Sequence, residues 1–253
     1  MPALHPAAAG LDYTAEIAMQ SAALADAAEG NLAAPVEHCP GWTVADLVRH
    51  VLGVHWFWAM VAELRPTEPP SDEDRPQPPP DDELLDRFRA GALHLVEVLR
   101  HADPQAACWT WAPTQQNVAF IQRHQVQEAA VHRWDAEHAA GRSVPLSVPV
   151  SVDSVEEFLT FSVASPEDPF DEPRDDLGGS FVLQATDADA AWTVTDGSEP
   201  GTVRFDRGSQ PELPVIAGSC SDLLLWLYRR VELPVPEDAA EVVERFRKLT
   251  FTD

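Results

Sequence analysis

The sequence predicts an α+β protein, with a four-helix bundle over residues 1–142 and a smaller α+β domain with an antiparallel sheet over residues 143–253. Three observations carry this. Apolar residues recur at helical spacing through most of the first 140 residues, which close at Gly141. From Ser143 the texture changes to a connector and a single further helix within "RSVPLSVPVSVDSVEEFLTFSV". After that, "GSFVLQAT", "AWTVTDG" and "GTVRFDRG" are short, rich in Val, Phe, Trp and Thr, and separated by Asp-Gly and Pro-Gly turn signals, which is the pattern of antiparallel strands.

Taken in order, Leu11 to about Glu29 is an alanine-rich helix stopped by Gly30. In "GWTVADLVRHVLGVHWFWAMVAELRP", Thr43 caps a second helix with Asp46 three residues on. Leu47, Val51, Val54 and Trp58 form its apolar stripe, and Pro66 ends it. Pro66 to Pro80 is too rich in Pro, Asp and Glu to pack and reads as a long exposed loop. A third helix runs from about Asp82 to His101 and a fourth from about Gln115 to Ala140, and four antiparallel helices make a bundle. In the second domain Ser219 and Asp222 form a capping box opening "CSDLLLWLYRRV", and Pro236 precedes a last helix, "EDAAEVVERFRKL".

Composition narrows the function. A chain of 253 residues suffices for two domains, and its hydrophobic share of 45% suits a globular protein. No apolar run approaches the roughly 18 residues of a membrane span. The opening "MPALHPAAAGLDYTAE" lacks the basic region and apolar core of a secretory signal, so cytoplasm is expected. With 17 Lys+Arg against 42 Asp+Glu the formal charge is −25, which repels phosphate backbones and anionic lipid. Neither nucleic acid nor membrane is therefore expected as a partner. Much of the acid lies in loops such as "SDEDRPQPPPDDE" and "ASPEDPFDEPRDD", where it serves solubility. Cys39, Cys108 and Cys220 form no CxxC, so neither a disulfide framework nor a thiolate zinc site is indicated. Any thiol chemistry would use a thiol from outside the chain, and a monomer is expected.

The segment "RHQVQEAAVHRWDAEH" on the fourth helix places His124, His132 and His138 among Glu128, Asp135 and Glu137. Residues four apart on a helix are offset by about 40° and rise about 6 Å, so they converge on one ion, whereas residues eight apart stand about 12 Å away. Two pairs result, His124/Glu128 and Glu128/His132. A catalytic metal needs three protein ligands and an open position, so a third ligand must come from another helix. The second helix offers His50 and His55, five residues apart and on different faces, with His50 beside the apolar stripe. His138 falls six residues after His132 and is expected to face solvent. Trp56, Trp58, Trp109, Trp111 and Trp134 at helical spacing are core residues first and pocket lining second, and Cys39 reads as a buried structural cysteine.

"HCPGWTVADLVRHVLGVHWF" together with "RHQVQEAAVHRWDAE" resembles the two signature segments of the mycothiol-dependent maleylpyruvate isomerase family, within the DinB-like superfamily of metal-binding four-helix bundles. "SCSDLLLWLYRR" resembles, less specifically, the C-terminal helix motif of the same family, so the likeness spans most of the chain. The resemblance implies a divalent metal, usually zinc, with nickel or iron also compatible with His and carboxylate ligands. The histidine of the family's WTxxDLxxH pattern falls on His50, and its E-xxx-H-R-x-D pattern falls on Glu128, His132, Arg133 and Asp135. The implied ligands are thus His50, Glu128 and His132, with His124 a neighbour one turn away. Relatives often carry His immediately before the Glu, where this chain has Gln127; that departure bears on the named isomerase activity. The resemblance also implies mycothiol as cosubstrate, and an arginine able to meet a carboxylate substrate or the thiol. That arginine matches Arg230, although Arg229 fits equally well, and a cation at a helix end also has a purely structural use.

The expected function is therefore that of a metal-dependent enzyme acting on a thiol and an electrophile, either an isomerase or an S-transferase. Two other classes fit the same residues: a metal-dependent hydrolase, because an open His/Glu/His site also activates water, and a binding or stress protein in which the metal serves structure.

Overall fold

The computed structural model describes residues 10–71, 75–142, 144–165 and 174–252. The start of the N-terminal segment, part of each acid-rich loop and the Ser143 boundary lie outside the described residues. The chain forms two compact units, the first running to Pro145 and the second beginning at Leu146.

Four helices make the first unit. Helix α1, Tyr13–Ala28, is capped by Asp12, whose side chain accepts from the Ala15 amide, and the chain leaves it through Gly30 at φ 70°. Helix α2, Val44–Leu64, opens with the capping box read from sequence, Thr43 and Asp46 each satisfying the other's backbone N–H. Helix α3 covers Asp81–His101 and α4 covers Val118–Ala139. Helix α4 starts later than its composition suggests because Gln116 is used in a turn, its amide donating to the Thr110 and Ala112 carbonyls at 2.7 Å, and Asn117 then takes the cap position. Leu24, Val44, Leu47, Val48, Val51, Leu84, Phe88 and Ala136 close the core between the helices.

The helices do not alternate in direction. Arg49 near the start of α2 pairs with Asp81 at the start of α3, while Glu63 near the end of α2 stands 3.6 Å from His94 further along α3, so α2 and α3 run in the same sense. This corrects the expectation of four antiparallel helices, and it gives the Pro-rich loop a physical task. Returning along a helix of 21 residues means travelling about 31 Å, which residues 65–80 cover without full extension. Helices α2 and α4 do run opposed, since His50 meets Glu128 at 3.1 Å and Trp58 meets Phe120 at 5.9 Å between ring centres. That pairing brings the two sequence signatures together.

The second unit holds α5 (Val148–Phe161), strands β1 (Ser180–Ala185), β2 (Ala191–Asp196), β3 (Val203–Arg207) and β4 (Val215–Gly218), then α6 (Cys220–Leu227) and α7 (Ala240–Lys248). The sheet order is β3-β2-β1-β4. β1, β2 and β3 form the expected antiparallel meander, with Leu183 opposite Trp192 and Val194 opposite Phe205. Strand β4, too short to stand out in the sequence, adds to β1 in parallel with Leu183 opposite Ile216, so the sheet is mixed rather than wholly antiparallel. Trp192 donates its indole N–H to Glu156 at 3.1 Å, which ties α5 to the sheet, and Phe246 of α7 packs on Phe181 and Trp226. No described helix is long and apolar enough to cross a membrane.

Candidate metal centre

Three side chains from two helices meet in the first unit. On α4, Glu128 and His132 sit one turn apart, and His50 reaches across from α2. The Nε2 atoms of both histidines face the same carboxylate oxygen, Glu128 Oε1, at 3.1 Å for His50 and 3.5 Å for His132. The two rings lie edge to face with centres 5.1 Å apart. Donors held at about 2.0–2.1 Å around a tetrahedral ion stand ~3.3 Å from one another, so this spacing suits a zinc-sized cation. Glu128 and His132 are buried while His50 keeps 28% of its side chain exposed, which leaves an approach from the His50 side.

Electrostatics favour the charged form of the carboxylate. Burial alone would raise the Glu128 pKa, but His132, the hydrogen bond from His50 and the more distant His124 outweigh it and hold the carboxyl well below the usual range. An ionised carboxylate between two imidazoles is a ready ligand set for a divalent cation.

The surroundings set the orientation of these groups. His132 turns its other nitrogen, Nδ1, to Asp135 Oδ2 at 3.1 Å, and Trp42 packs on the His50 ring with centres 5.1 Å apart. Cys39 approaches the same Asp135 oxygen at 4.0 Å and is half-buried, where the sequence reading expected a buried cysteine. Neither the Trp42 nor the Cys39 contact is evident in the sequence, because both arise from how the loop before α2 folds over α4.

The other candidates fall elsewhere. His124 is buried in an aromatic cage, stacked on Phe120 at 5.2 Å with Trp111 and Trp58 edge-on, and is not in the ligand group. His55 is fully buried against Phe88, and neither ring nitrogen makes a hydrogen bond among the described residues. Burial pushes its pKa down to about 4, against which the Glu128 charge acts only in part, so the ring is neutral at pH 7. His138 is half-exposed near the end of α4, and its Nε2 meets Glu37 at 2.9 Å. Trp58 and Trp134 are buried, as a core assignment requires. In the second unit, Arg229 is exposed and donates to the Arg247 carbonyl at 2.6 Å, whereas Arg230 is buried and donates to the Tyr228 carbonyl at 2.8 Å.

The fold and site together define a helical bundle in which His50, Glu128 and His132, from two of its helices, offer a ligand set that could hold a metal ion. Residues 13–137 match the family model described as the mycothiol maleylpyruvate isomerase N-terminal domain. The first unit of this chain belongs to that family. No curated protein and no solved structure matches the chain.

Proposed function

We propose that the protein is a metal-dependent enzyme that uses a low-molecular-weight thiol, mycothiol, as cosubstrate, and that it acts as an isomerase of the maleylpyruvate type or as an S-transferase. The observation that carries this is the convergence of His50 Nε2 and His132 Nε2 on one oxygen of Glu128, inside a domain of the mycothiol maleylpyruvate isomerase family. His50, Glu128 and His132 are the proposed ligands, and zinc is the proposed metal. A divalent ion there lowers the pKa of a coordinating thiol and supplies a nucleophile near neutral pH.

The chain's own residues prepare that chemistry. Asp135 accepts the Nδ1 proton of His132, which fixes the tautomer and leaves the Nε2 lone pair free. Glu128 contributes the negative charge that offsets the cation. Burial of Glu128 and His132 keeps competing water from two of the three donors. Attack of a thiolate on an activated double bond forms a C–S bond; rotation about the former double bond and cleavage of the same C–S bond return the thiol and give the trans isomer. An S-transferase stops once the new C–S bond is made. Arg230 is the proposed cation for a carboxylate of the substrate or the thiol, the role that the likeness of "SCSDLLLWLYRR" to the family's C-terminal motif implies.

Metal analysis of the purified chain with calorimetry against mycothiol tests this reading. One tightly held equivalent of divalent metal, lost in His132→Ala and kept in His124→Ala, together with mycothiol binding only to the metal-loaded protein, is the expected result. Absence of thiol binding by metal-loaded protein would overturn the thiol dependence. Assays with maleylpyruvate and with general thiol-accepting electrophiles then separate isomerase from transferase.

A further inference from the structure

A second group of metal-binding donors lies at the far end of α4, outside the site described above. Glu37, His38 and His138 each offer one ligand atom, and these atoms all lie within 4.8 Å of one another. His138 Nε2 and Glu37 Oε2 are already at 2.9 Å. All three members are held in place by their surroundings. Trp134, one turn before His138, stacks on its ring with centres 4.8 Å apart and planes 9° from parallel. The same indole packs on His38 at 5.6 Å, so one buried platform fixes both imidazoles. The loop bearing Glu37 and His38 is tied by consecutive turns, with Cys39 N–H donating to the Val36 carbonyl and Val36 N–H to the Trp42 carbonyl. It is further fastened to the start of α2 by Val44 and Ala45, whose N–H groups donate to Ala34 and Leu32.

We propose that Glu37, His38 and His138 form a second, solvent-facing site for a divalent transition-metal ion. Two imidazoles and one carboxylate select zinc, nickel, cobalt or copper(II) over magnesium and calcium, which favour all-oxygen sites. Closing donors from at most 4.8 Å to the ~3.3 Å of a tetrahedral set needs only small rotations of side chains that are exposed (Glu37) or half-exposed (His38 and His138). Protons compete with the ion for the imidazole nitrogens, so uptake weakens as pH falls. Exposure makes this the weaker of the two sites. It adjoins the first through the backbone, because Cys39, next to His38, approaches the Asp135 that holds His132.

Equilibrium dialysis of the full chain against zinc, with metal counted per chain, tests this in wild type, His38→Ala, His138→Ala, Glu37→Gln and His132→Ala. The two histidine variants each lose one equivalent relative to wild type, Glu37→Gln holds that equivalent more weakly, and His132→Ala keeps it. Quenching of tryptophan fluorescence by copper(II) gives a second readout, reduced in Trp134→Phe and in His138→Ala alike. Zinc uptake in His38→Ala and His138→Ala equal to that of wild type overturns the proposal. If the first site instead takes up nothing, wild type binds one equivalent that the His38 and His138 variants lose, so failure of the functional reading is distinguishable from failure here.

Discussion

His132 Nδ1 and Asp135 Oδ2 lie 3.1 Å apart on consecutive turns of α4, with the carboxylate completely buried. A neutral imidazole carries one N–H, so a carboxylate at Nδ1 places it there and directs the lone pair of Nε2 toward Glu128. Asp135→Asn keeps the shape but presents a weaker acceptor, or a donor that forces the other tautomer. Zinc affinity is expected to fall by about 10–100-fold with the helical content unchanged. A competition titration with a chromophoric chelator measures it, and wild-type affinity in the variant would remove Asp135 from the site's design.

His55 predicts a pH dependence of stability. Its folded pKa, near 4, lies below the ordinary value of 6.5, so between those limits the unfolded chain binds a proton that the folded chain refuses. The contribution is fully present above pH 6.5 and is lost as pH falls toward 4, reaching about 3 kcal/mol. Urea unfolding of wild type and His55→Phe across this range measures it as the pH dependence of their difference. The stability difference should shift in favour of the variant as pH falls, and parallel curves would show that His55 binds its proton equally in the folded and unfolded chain.

The capping box at α2 provides a test that separates stability from metal binding. Thr43 Oγ1 accepts from the Asp46 amide while Asp46 accepts from the Thr43 amide at 2.9 Å. Thr43→Ala removes one of these bonds and is expected to cost about 1 kcal/mol in urea unfolding. Since the seven residues to His50 remain helical in the folded state, zinc stoichiometry should not change.

How much of this was legible depended on the range of the interaction. The Thr43/Asp46 box and the Ser219/Asp222 cap are local, so spacing alone exposes them, whereas spacing left His124/Glu128 and Glu128/His132 both open and the family pattern chose the second. The joining of His50 to that pair needed α2 and α4 to be neighbours, which the family pattern implied and periodicity did not. The direction of α3 was missed because an apolar stripe looks the same on a helix running either way, and only the length of the 65–80 loop hinted at a return crossing. Strand β4 was missed because four residues, "VIAG", carry too little alternation to register. The Glu37/His38/His138 group was missed because its members lie about a hundred residues apart in sequence, and the loop turn that presents two of them has no signature beyond "CPG".

The end of α6 separates two arginines that sequence left equivalent. Arg230 N–H donates to the Leu225 carbonyl and Arg229 N–H to the Trp226 carbonyl, with Arg229 left-handed at φ 61°. This is a Schellman closure, and it turns the chain so that consecutive side chains diverge. Arg229 goes outward to the Arg247 carbonyl on α7, while Arg230 stays buried, its guanidinium 5.8 Å from the Tyr228 ring centre. Arg229→Ala should therefore lose about 1 kcal/mol of stability, read by urea unfolding, and leave turnover untouched. Arg230→Lys keeps the charge but loses the planar fork that grips a carboxylate, so KM for an anionic substrate should rise several-fold more than kcat falls. Equal effects of the two substitutions on KM would mean that Arg230 serves the helix end alone.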